Sequence, residues 1–441
     1  MVKFRKYKTM SGTPVLIIGG GIGGLALAHG LKQHRIPFHV YERDRTESYR
    51  AQGYRIRIGG PAIDGLEYLL DAETMSDFNL SCADIGLAPI PEFDAETARL
   101  VEPDADTPAS PGAEMTREIS ALVAARGRTV DRGAMREVLI KHLSPGSISY
   151  DRKFLHYEET EQGVIAHFED GTSAVGALLV GADGRGSMVR PQLLPDLHVL
   201  PTGSYCIYGK TYLSPEVLEA LAEVAGQRMS FVKDRSPEQI LAMGLKPIRF
   251  SSAKDRKARG LSCPQDYLFW GLRAAARPLG LDLEASLERL SLEELEQRAL
   301  EVSRHWHPSL RVIVEHEARD ETSAFAIDIV AKGFAQQAWE PNAHVTLIGD
   351  AVHPVAGTGS GAVMAIMDAA SLCRGVTRAE RETGFEPVIA EYEKAMRLVA
   401  GDAIPASWRM MDAMSGMTRS NETHIGEMAM RMRARNIAKM R

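Results

Sequence analysis

Short apolar runs mark the strands that the sequence predicts most clearly. Val15–Ile18 is continuous and partly β-branched, as expected for a strand buried on both faces of a parallel sheet. The runs 177–182 and 344–349 have the same character. Each run leads directly into glycine or aspartate, and open α/β sheets bind ligands at the carboxyl ends of their strands. The pattern therefore predicts a ligand site at one edge of a parallel sheet.

Residues 201–330 follow a different pattern. Two segments, 205–209 and 267–272, alternate as strands do, and an amphipathic helix is predicted near 281–306. The aromatic residues of the two segments are Tyr205, Tyr208, Phe269 and Trp270. They either line an apolar pocket or form the core between a sheet and helices, and the pattern leaves both readings open.

A further strand is predicted at 53–58, where polar and apolar positions alternate with a period of two. Arg55 and Arg57 therefore share one face of this strand. A solvated strand face explains the two arginines as well as a functional role does.

Composition and charge narrow the class of protein. The 441 residues predict two or three domains, and 44% apolar with 25% charged residues is typical of a globular protein. The formal net charge of -6 argues against nucleic acid or an anionic membrane as partner. No apolar stretch reaches the length of a spanning helix, and no secretory signal is predicted. Four separated cysteines without a CxxC pair favour a reducing, cytoplasmic location and no metal site.

A glycine-rich turn follows the first strand. In Gly19-x-Gly21-x-x-Gly24, the first glycine allows a tight turn, the second admits a pyrophosphate, and the third lets helix and strand pack closely. The helix N-terminus offers free N–H groups to phosphates. Glu42, at the end of the second predicted strand and followed by Arg43, is placed to accept hydrogen bonds from ribose hydroxyls. The sequence thus predicts a dinucleotide, FAD or NAD.

Two later motifs place aspartates at strand ends. Asp183-Gly184 follows the run 177–182, and Gly349-Asp350 ends the run 344–349. Asp350 is placed to bond a ribityl hydroxyl. Gly359 and Gly361 then lead into a helix at about 362–374, whose N-terminus stabilises negative charge on a reduced flavin.

The three motifs, in this order, resemble those of the single-component FAD-dependent aromatic hydroxylases, the group A flavoprotein monooxygenases that share the p-hydroxybenzoate hydroxylase fold. The resemblance implies that the Asp183-Gly184 segment contacts FAD and the visiting NAD(P)H, and that Asp350 holds the ribityl chain. Residues 130–135 resemble the family segment whose arginine contacts FAD, so Arg132 takes that role. His353 takes the family's loop-shaping position and is a weak candidate for acid–base work.

The resemblance also implies a fold: α/β, or α+β overall, with a Rossmann-like FAD-binding domain and an inserted mixed-sheet substrate domain. The expected FAD-binding domain is discontinuous, over 11–80, 120–200 and 336–390. The substrate domain covers 81–119 and 201–335. A Met-rich helical segment over 391–441 ends the chain, and Met packing against the body of the protein is its ordinary interpretation.

The implied activity is that of a monooxygenase that uses NADPH or NADH and O2. A flavin hydroperoxide would hydroxylate or epoxidise an aromatic or polyene small molecule of secondary metabolism. Arg55 or Arg57 would meet a substrate anion, an NAD(P)H phosphate or the flavin. Two alternatives stay open, an FAD-dependent reductase or dehydrogenase of the same fold and a non-catalytic flavoprotein.

Overall fold

A five-stranded parallel sheet forms from the predicted apolar runs. The computed structural model describes residues 12–46, 55–83, 91–101, 127–221, 229–234, 241–250, 253–275, 278–280, 290–356, 359–379 and 384–415. The strands of this sheet are β1 (Val15–Ile18), β2 (Phe38–Tyr41), β7 (Ile148–Ser149), β11 (Leu178–Gly181) and β17 (Val345–Leu347), in the order β17-β11-β1-β2-β7. Ile17 pairs with Val180 on one side and Val40 on the other, so β11 and β2 flank β1 in register with it.

Two three-stranded sheets join this core. One consists of β3 (Arg55–Ile58), β4 (Cys82–Ala83) and β6 (Arg128–Asp131), in the order β3-β6-β4. The other consists of β8 (Phe154–Thr160), β9 (Gly163–Phe168) and β10 (Ser173–Gly176). Ile56 and Ile58 are buried in the same apolar core as β1, and Arg55 and Arg57 lie on the opposite face of β3.

A six-stranded mixed sheet forms the second half of the molecule. Its strands are β5 (Glu92–Asp94), β12 (Val199–Tyr212), β13 (Ser230–Asp234), β14 (Leu241–Ile248), β15 (Tyr267–Ala275) and β16 (Ser323–Val330), in the order β16-β12-β15-β14-β13-β5. One face packs on its own apolar core, to which Tyr205 and Trp270 belong. These two aromatic side chains are therefore core, whereas Tyr208 and Phe269 lie on the opposite, inner face.

Helices cover the sheets. They are α1 (Ile22–Gln33), α2 (Gly60–Leu69), α3 (Ala72–Ser81), α4 (Arg132–Lys141), α5 (Arg190–Leu193), α6 (Pro215–Ala220), α7 (Ala253–Ala258), α8 (Leu292–Val302), α9 (Pro308–Glu315), α10 (Gly361–Ala379) and α11 (Glu386–Ser415). No helix in the described ranges is both long and apolar enough to cross a membrane.

The structure describes two predicted helical segments only in part. The helix expected near 281–306 is described as α8, which begins after a capping box between Ser291 and Glu294 and ends at Val302. Residues 281–289, which precede α8, lie outside the part of the chain that the structure describes. In the C-terminal segment, α11 runs to Ser415 with Met411 fully buried, and the Met-rich residues beyond 415 lie outside the described part.

Candidate active site

The turn after β1 depends on glycine at two positions. Gly19 has φ +111, and a Cβ there would lie 2.4 Å from the Ala182 carbonyl oxygen. A Cβ on Gly24 would lie 2.2 Å from the Gly19 oxygen, so helix α1 approaches the strand too closely for a side chain. Gly21 is different, because a Cβ there would meet nothing within 4 Å. The space over Gly21, at the N-terminus of α1, is open.

Glu42 lies buried at the end of β2, beside this turn. Its Oε2 accepts from the Gly20 N–H at 2.7 Å, and its Oε1 accepts from the Asp44 N–H at 3.0 Å. The carboxylate therefore holds the glycine turn, and each oxygen keeps acceptor capacity for a ribose hydroxyl. Arg43 next to it has an exposed side chain.

Asp183 follows β11, at the carboxyl edge of the parallel sheet. Its Oδ2 accepts from the N–H groups of Met188 at 2.7 Å and Val189 at 3.3 Å. Its Oδ1 is buried and accepts no hydrogen bond, and burial raises the pKa of this carboxyl. Gly184 has φ +77, and a Cβ there would meet nothing within 4 Å.

Asp350 follows β17, the strand next to β11 in the sheet. Its Oδ1 is also buried without a hydrogen-bond partner, and it lies 3.2 Å from where a Cβ on Gly361 would stand. Gly361 is the first residue of α10. Burial raises the pKa of Asp350, while the positive charges of Arg132 and neighbouring residues act to lower it. The aspartate and the start of α10 thus share one space.

His353 is buried inside the loop between β17 and α10. Its Nε2 lies 2.7 Å from Asp368 Oδ2, which also accepts from the Gly349 N–H at 2.8 Å. Burial alone would lower the pKa of His353, but the Asp368 carboxylate raises it on balance. With 1% of its surface exposed, His353 fixes the loop from inside. Sequence reasoning missed Asp368, although a lone acid in the apolar run of α10 was a visible signal.

Two arginines that the sequence analysis did not single out tie the two aspartate turns together. Arg190 donates from Nη1 to the Ala351 oxygen at 2.8 Å and from Nη2 to the Arg185 oxygen at 2.9 Å. Arg185 forms an ion pair with Asp328 of β16 at 2.8 Å. The turns at Asp183 and Asp350 are therefore held to each other and to the six-stranded sheet.

Arg132 is the first residue of α4, and the residue before it links the two halves of the molecule. Asp131 caps α4 by accepting from the Ala134 N–H at 3.0 Å. Its other oxygen accepts from the Tyr267 hydroxyl at 2.8 Å and from Lys210 Nζ at 2.9 Å. Tyr267 and Lys210 belong to the six-stranded sheet, so Arg132 is placed where both halves meet.

Arg55 and Arg57 both lie half-buried on the face of β3 away from the apolar core. Arg55 Nη1 lies 3.9 Å from Met229 Sδ, beside the six-stranded sheet, and its Nε is buried without a hydrogen-bond partner. Burial lowers the pKa of Arg55 to about 10, with Arg57 acting in the same direction. Arg55 thus reaches the inner face of the sheet.

A histidine-rich cluster lies elsewhere, on the β8–β9 hairpin. His156, Glu158 and His167 bring one ligand atom each within 4.8 Å of one another. The two imidazole rings stack with 4.5 Å between centroids and 12° between planes. Because parallel rings direct their nitrogen lone pairs side by side, the arrangement converges poorly on one metal ion.

The residues at the sheet edge fit an FAD. The space over Gly21 and Gly184 leaves backbone accessible to a pyrophosphate. The orphaned oxygens of Asp183 and Asp350 call for hydroxyl donors, which a ribityl chain offers. Of the predicted residues, the structure brings Gly21, Asp183, Asp350, Gly361 and Arg132 to this edge. Gly349 with φ +60 and Gly359 with φ +69 shape the loop between them.

Comparison with known proteins identifies relatives of this chain. Residues 17–76 match the family model of an NAD(P)-binding Rossmann-like domain. The chain is 33% identical to the dual O-methyltransferase/FAD-dependent monooxygenase elcB of Phaeosphaeria nodorum, over 94% of this chain and 47% of that protein. It is 27% identical to the FAD-dependent monooxygenase thnD of Trichoderma harzianum, over 83% of this chain and 84% of that protein. The chain spans about half the length of the first curated relatives it matches.

A solved structure extends the likeness to the whole fold. A putative FAD-containing monooxygenase from Photorhabdus luminescens superimposes with a TM-score of 0.70 and 26% identity, over 91% of this chain and 99% of that one. The predicted fold class and the resemblance stated from the three motifs are therefore confirmed.

Proposed function

We propose that this chain, which resembles FAD-dependent monooxygenases along most of its length, is an NAD(P)H-dependent oxidoreductase that hydroxylates or epoxidises an aromatic or polyene small molecule in secondary metabolism. The names of its fungal relatives support this class of reaction. When bound, FAD supplies the redox chemistry, accepting electrons from NAD(P)H and activating O2. The residues of this chain bind, orient and enclose the reactants.

One observation carries the proposal. Asp183 and Asp350 each present a buried carboxylate oxygen without a hydrogen-bond partner, at the ends of two adjacent strands. A buried orphan acceptor costs free energy, so a ligand with hydroxyl donors is expected to satisfy both. The glycine turn at the N-terminus of α1 follows β1, the strand next to β11, and offers N–H groups to phosphates. A ligand with a polyol and a pyrophosphate fits this combination.

Five of the predicted residues then have a role toward FAD. We assign Gly21 and the start of α1 to the pyrophosphate, Glu42 to the adenosine ribose, and Asp350 to the ribityl chain. Arg132, at the junction of the two halves, would contact the flavin. The N-terminus of α10 at Gly361 would stabilise negative charge on it.

The substrate would lie against the inner face of the six-stranded sheet. Along β15, Phe269, Gly271 and Arg273 on this face stay partly exposed, although the strand is central in its sheet. A central strand is exposed on one face only if space lies beside it. The same face carries Tyr267, whose hydroxyl donates to Asp131, the residue before Arg132, so an enclosed substrate would lie near the residue assigned to the flavin, with little water present.

Oxygen uptake by the purified protein tests the proposal. Flavin content is read from its absorbance, and uptake with NADPH or NADH is measured with and without a panel of phenolic, indolic and polyene compounds. We expect bound flavin, uptake stimulated by a compound, and one atom of labelled O2 in the product. A flavin that is reduced by NAD(P)H without compound-dependent uptake would indicate a reductase or dehydrogenase. A protein that binds no flavin would contradict the proposal altogether.

A further inference from the structure

The C-terminal helix α11 holds the loop that joins β17 to α10. Ser407 of α11 is fully buried, and its Oγ donates to the Ala356 carbonyl oxygen at 2.5 Å. The same Oγ accepts from the Ala356 N–H at 2.6 Å. A serine hydroxyl has one donor and two acceptor positions, so this single side chain satisfies both backbone groups of one loop residue. The contact fixes the backbone of Ala356 in a way that apolar packing of the helix does not.

The next residue of α11 supports the same loop through β16. Trp408 donates from Nε1 to the Val330 oxygen at 3.1 Å. Val330 in turn donates its N–H to the Pro354 oxygen at 3.0 Å. Two consecutive residues of α11 therefore hold the segment 353–356, one directly at Ala356 and the other through Val330.

Further along, the loop borders the space assigned to the cofactor. Gly359 has φ +69, and a Cβ there would meet nothing within 4 Å. A Cβ on Gly361 would lie 3.2 Å from Asp350 Oδ1, whose acceptor position is buried and unfilled. The loop is thus fixed to the protein at Ala356 and open where it approaches Asp350. Its position relative to a cofactor depends on the hydrogen bonds made at its buried segment.

We propose that Ser407 is a positioning residue for the cofactor, because by holding Ala356 it sets where the segment 353–356 lies relative to bound FAD. The inference rests on the proposed function, since it concerns the same FAD site. The segment connects Asp350, assigned to the ribityl chain, with the N-terminus of α10, assigned to the reduced flavin. The effect of a helix N-terminus on a negative charge falls off within one turn, so a displaced loop affects reduced FAD more than oxidised FAD.

The test measures FAD binding and the reduction potential of the bound flavin in Ser407→Ala. This variant leaves the N–H and C=O of Ala356 buried without a partner, so the loop should shift until both groups are satisfied. We expect the affinity of the apoprotein for FAD to fall at least about ten-fold. The reduction potential should become more negative, because reduced FAD loses more affinity than oxidised FAD. Flavin titration measures the affinity, and equilibration with a reference dye measures the potential.

Ser407→Cys provides a graded comparison. A thiol has nearly the volume of the hydroxyl but is a weaker donor and acceptor. Both quantities should therefore lie between those of the wild type and those of Ser407→Ala. If Ser407→Ala does not fold, Ser407→Cys carries the comparison with the wild type.

Ser303→Ala is the matched control. Ser303 is also fully buried, at the end of α8, and its Oγ donates to the Ala299 oxygen at 2.7 Å. Ala299 belongs to the apolar core of the six-stranded sheet, away from the loop. Ser303→Ala should lower the melting temperature, as Ser407→Ala does, and leave the FAD affinity and the flavin potential unchanged.

Three results would overturn the inference. They are an FAD affinity in Ser407→Ala equal to that of the wild type, a lower affinity with an unchanged potential, or equal changes in Ser303→Ala. The last two would assign Ser407 to general stability alone. A wild-type protein that binds no flavin contradicts the proposed function, whereas a flavin-loaded Ser407→Ala with the wild-type affinity and potential contradicts only this inference.

Discussion

His353 and Asp368 form a buried pair that holds the loop between β17 and α10, with Nε2 2.7 Å from Oδ2. The same oxygen accepts from the Gly349 N–H, so one carboxylate fixes both ends of the turn that presents Asp350. The pair is thus a support for the cofactor site, and His353 is enclosed by the protein, with 1% of its surface exposed.

Replacing this carboxylate should loosen the loop. Asp368→Asn removes the charge that His353 faces, and we expect a loss of about 2–3 kcal/mol in the free energy of unfolding. Because Asp368 raises the pKa of His353, the pair stabilises most below about pH 6.5 and loses this contribution as pH rises through the raised pKa. Urea denaturation of the wild type and of Asp368→Asn at a series of pH values, from below pH 6.5 upward, measures this contribution. A difference that grows with pH would contradict the prediction.

Asp350 should matter for cofactor binding more than for folding. Its buried Oδ1 lacks a partner, so Asp350→Ala removes an unsatisfied group and should leave the apoprotein as stable as the wild type or more so. Affinity for FAD should fall about ten- to a hundred-fold, as expected for a lost hydrogen bond to a charged group. Flavin titration of the apoprotein measures the FAD affinity, and thermal denaturation measures the stability of the apoprotein. Full flavin occupancy in this variant would refute the ribityl assignment.

Two glycines of the first turn form a matched pair for experiment. In Gly24→Ala the new Cβ would lie 2.2 Å from the Gly19 oxygen, so we expect a loss of about 3 kcal/mol or more, or failure to fold. In Gly21→Ala the new Cβ meets no protein atom within 4 Å, so the apoprotein should fold normally. FAD binding should nevertheless weaken, because the methyl group enters the open space over the turn. Denaturation of both variants measures the effect on packing, and flavin titration measures the effect on FAD binding. An FAD affinity of Gly21→Ala equal to that of the wild type would show that the pyrophosphate lies elsewhere.

The parts of the fold that the sequence predicted are those determined by local pattern. The apolar run Val15–Ile18, the turn at Gly19 and the strand Phe38–Tyr41 lie within one short segment, and the structure has all three. Asp183 and Asp350 are adjacent because their strands are parallel neighbours, which the strand-end rule anticipates. The assignment of these residues to FAD and the limits of the two domains stay predictions.

The parts that were missed depend on contacts between distant segments. Arg190 donates to the Ala351 oxygen, 161 positions away, and Tyr267 donates to Asp131, 136 positions away. No periodicity in the sequence records which strands become neighbours in the six-stranded sheet. For the same reason, the pattern could not decide whether Trp270 or Phe269 faces the core. That choice is set by which face of the sheet packs on the second apolar core: Trp270 belongs to that core, whereas Phe269 lies beside Lys210 on the other face.

His29 provides a last prediction, on acid stability. It is 2% exposed in α1, and its Nε2 lies 2.7 Å from the Leu139 oxygen of α4. Burial lowers the pKa of His29 from 6.5 to about 4. The unfolded chain therefore binds a proton that the folded protein does not, and stability is lost as pH falls from about 6.5 towards 4.

Proton binding to His29 in the unfolded chain should by itself lower the free energy of unfolding by about 2 kcal/mol at about pH 5 relative to neutral pH. His29→Gln keeps a donor for the Leu139 oxygen and does not titrate, so its free energy of unfolding should fall less steeply over the same range. Chemical denaturation at a series of pH values, with both proteins in the same buffers, measures the two slopes. If the two slopes are parallel between pH 6.5 and about 5, His29 is protonated in the folded protein and its burial does not lower its pKa.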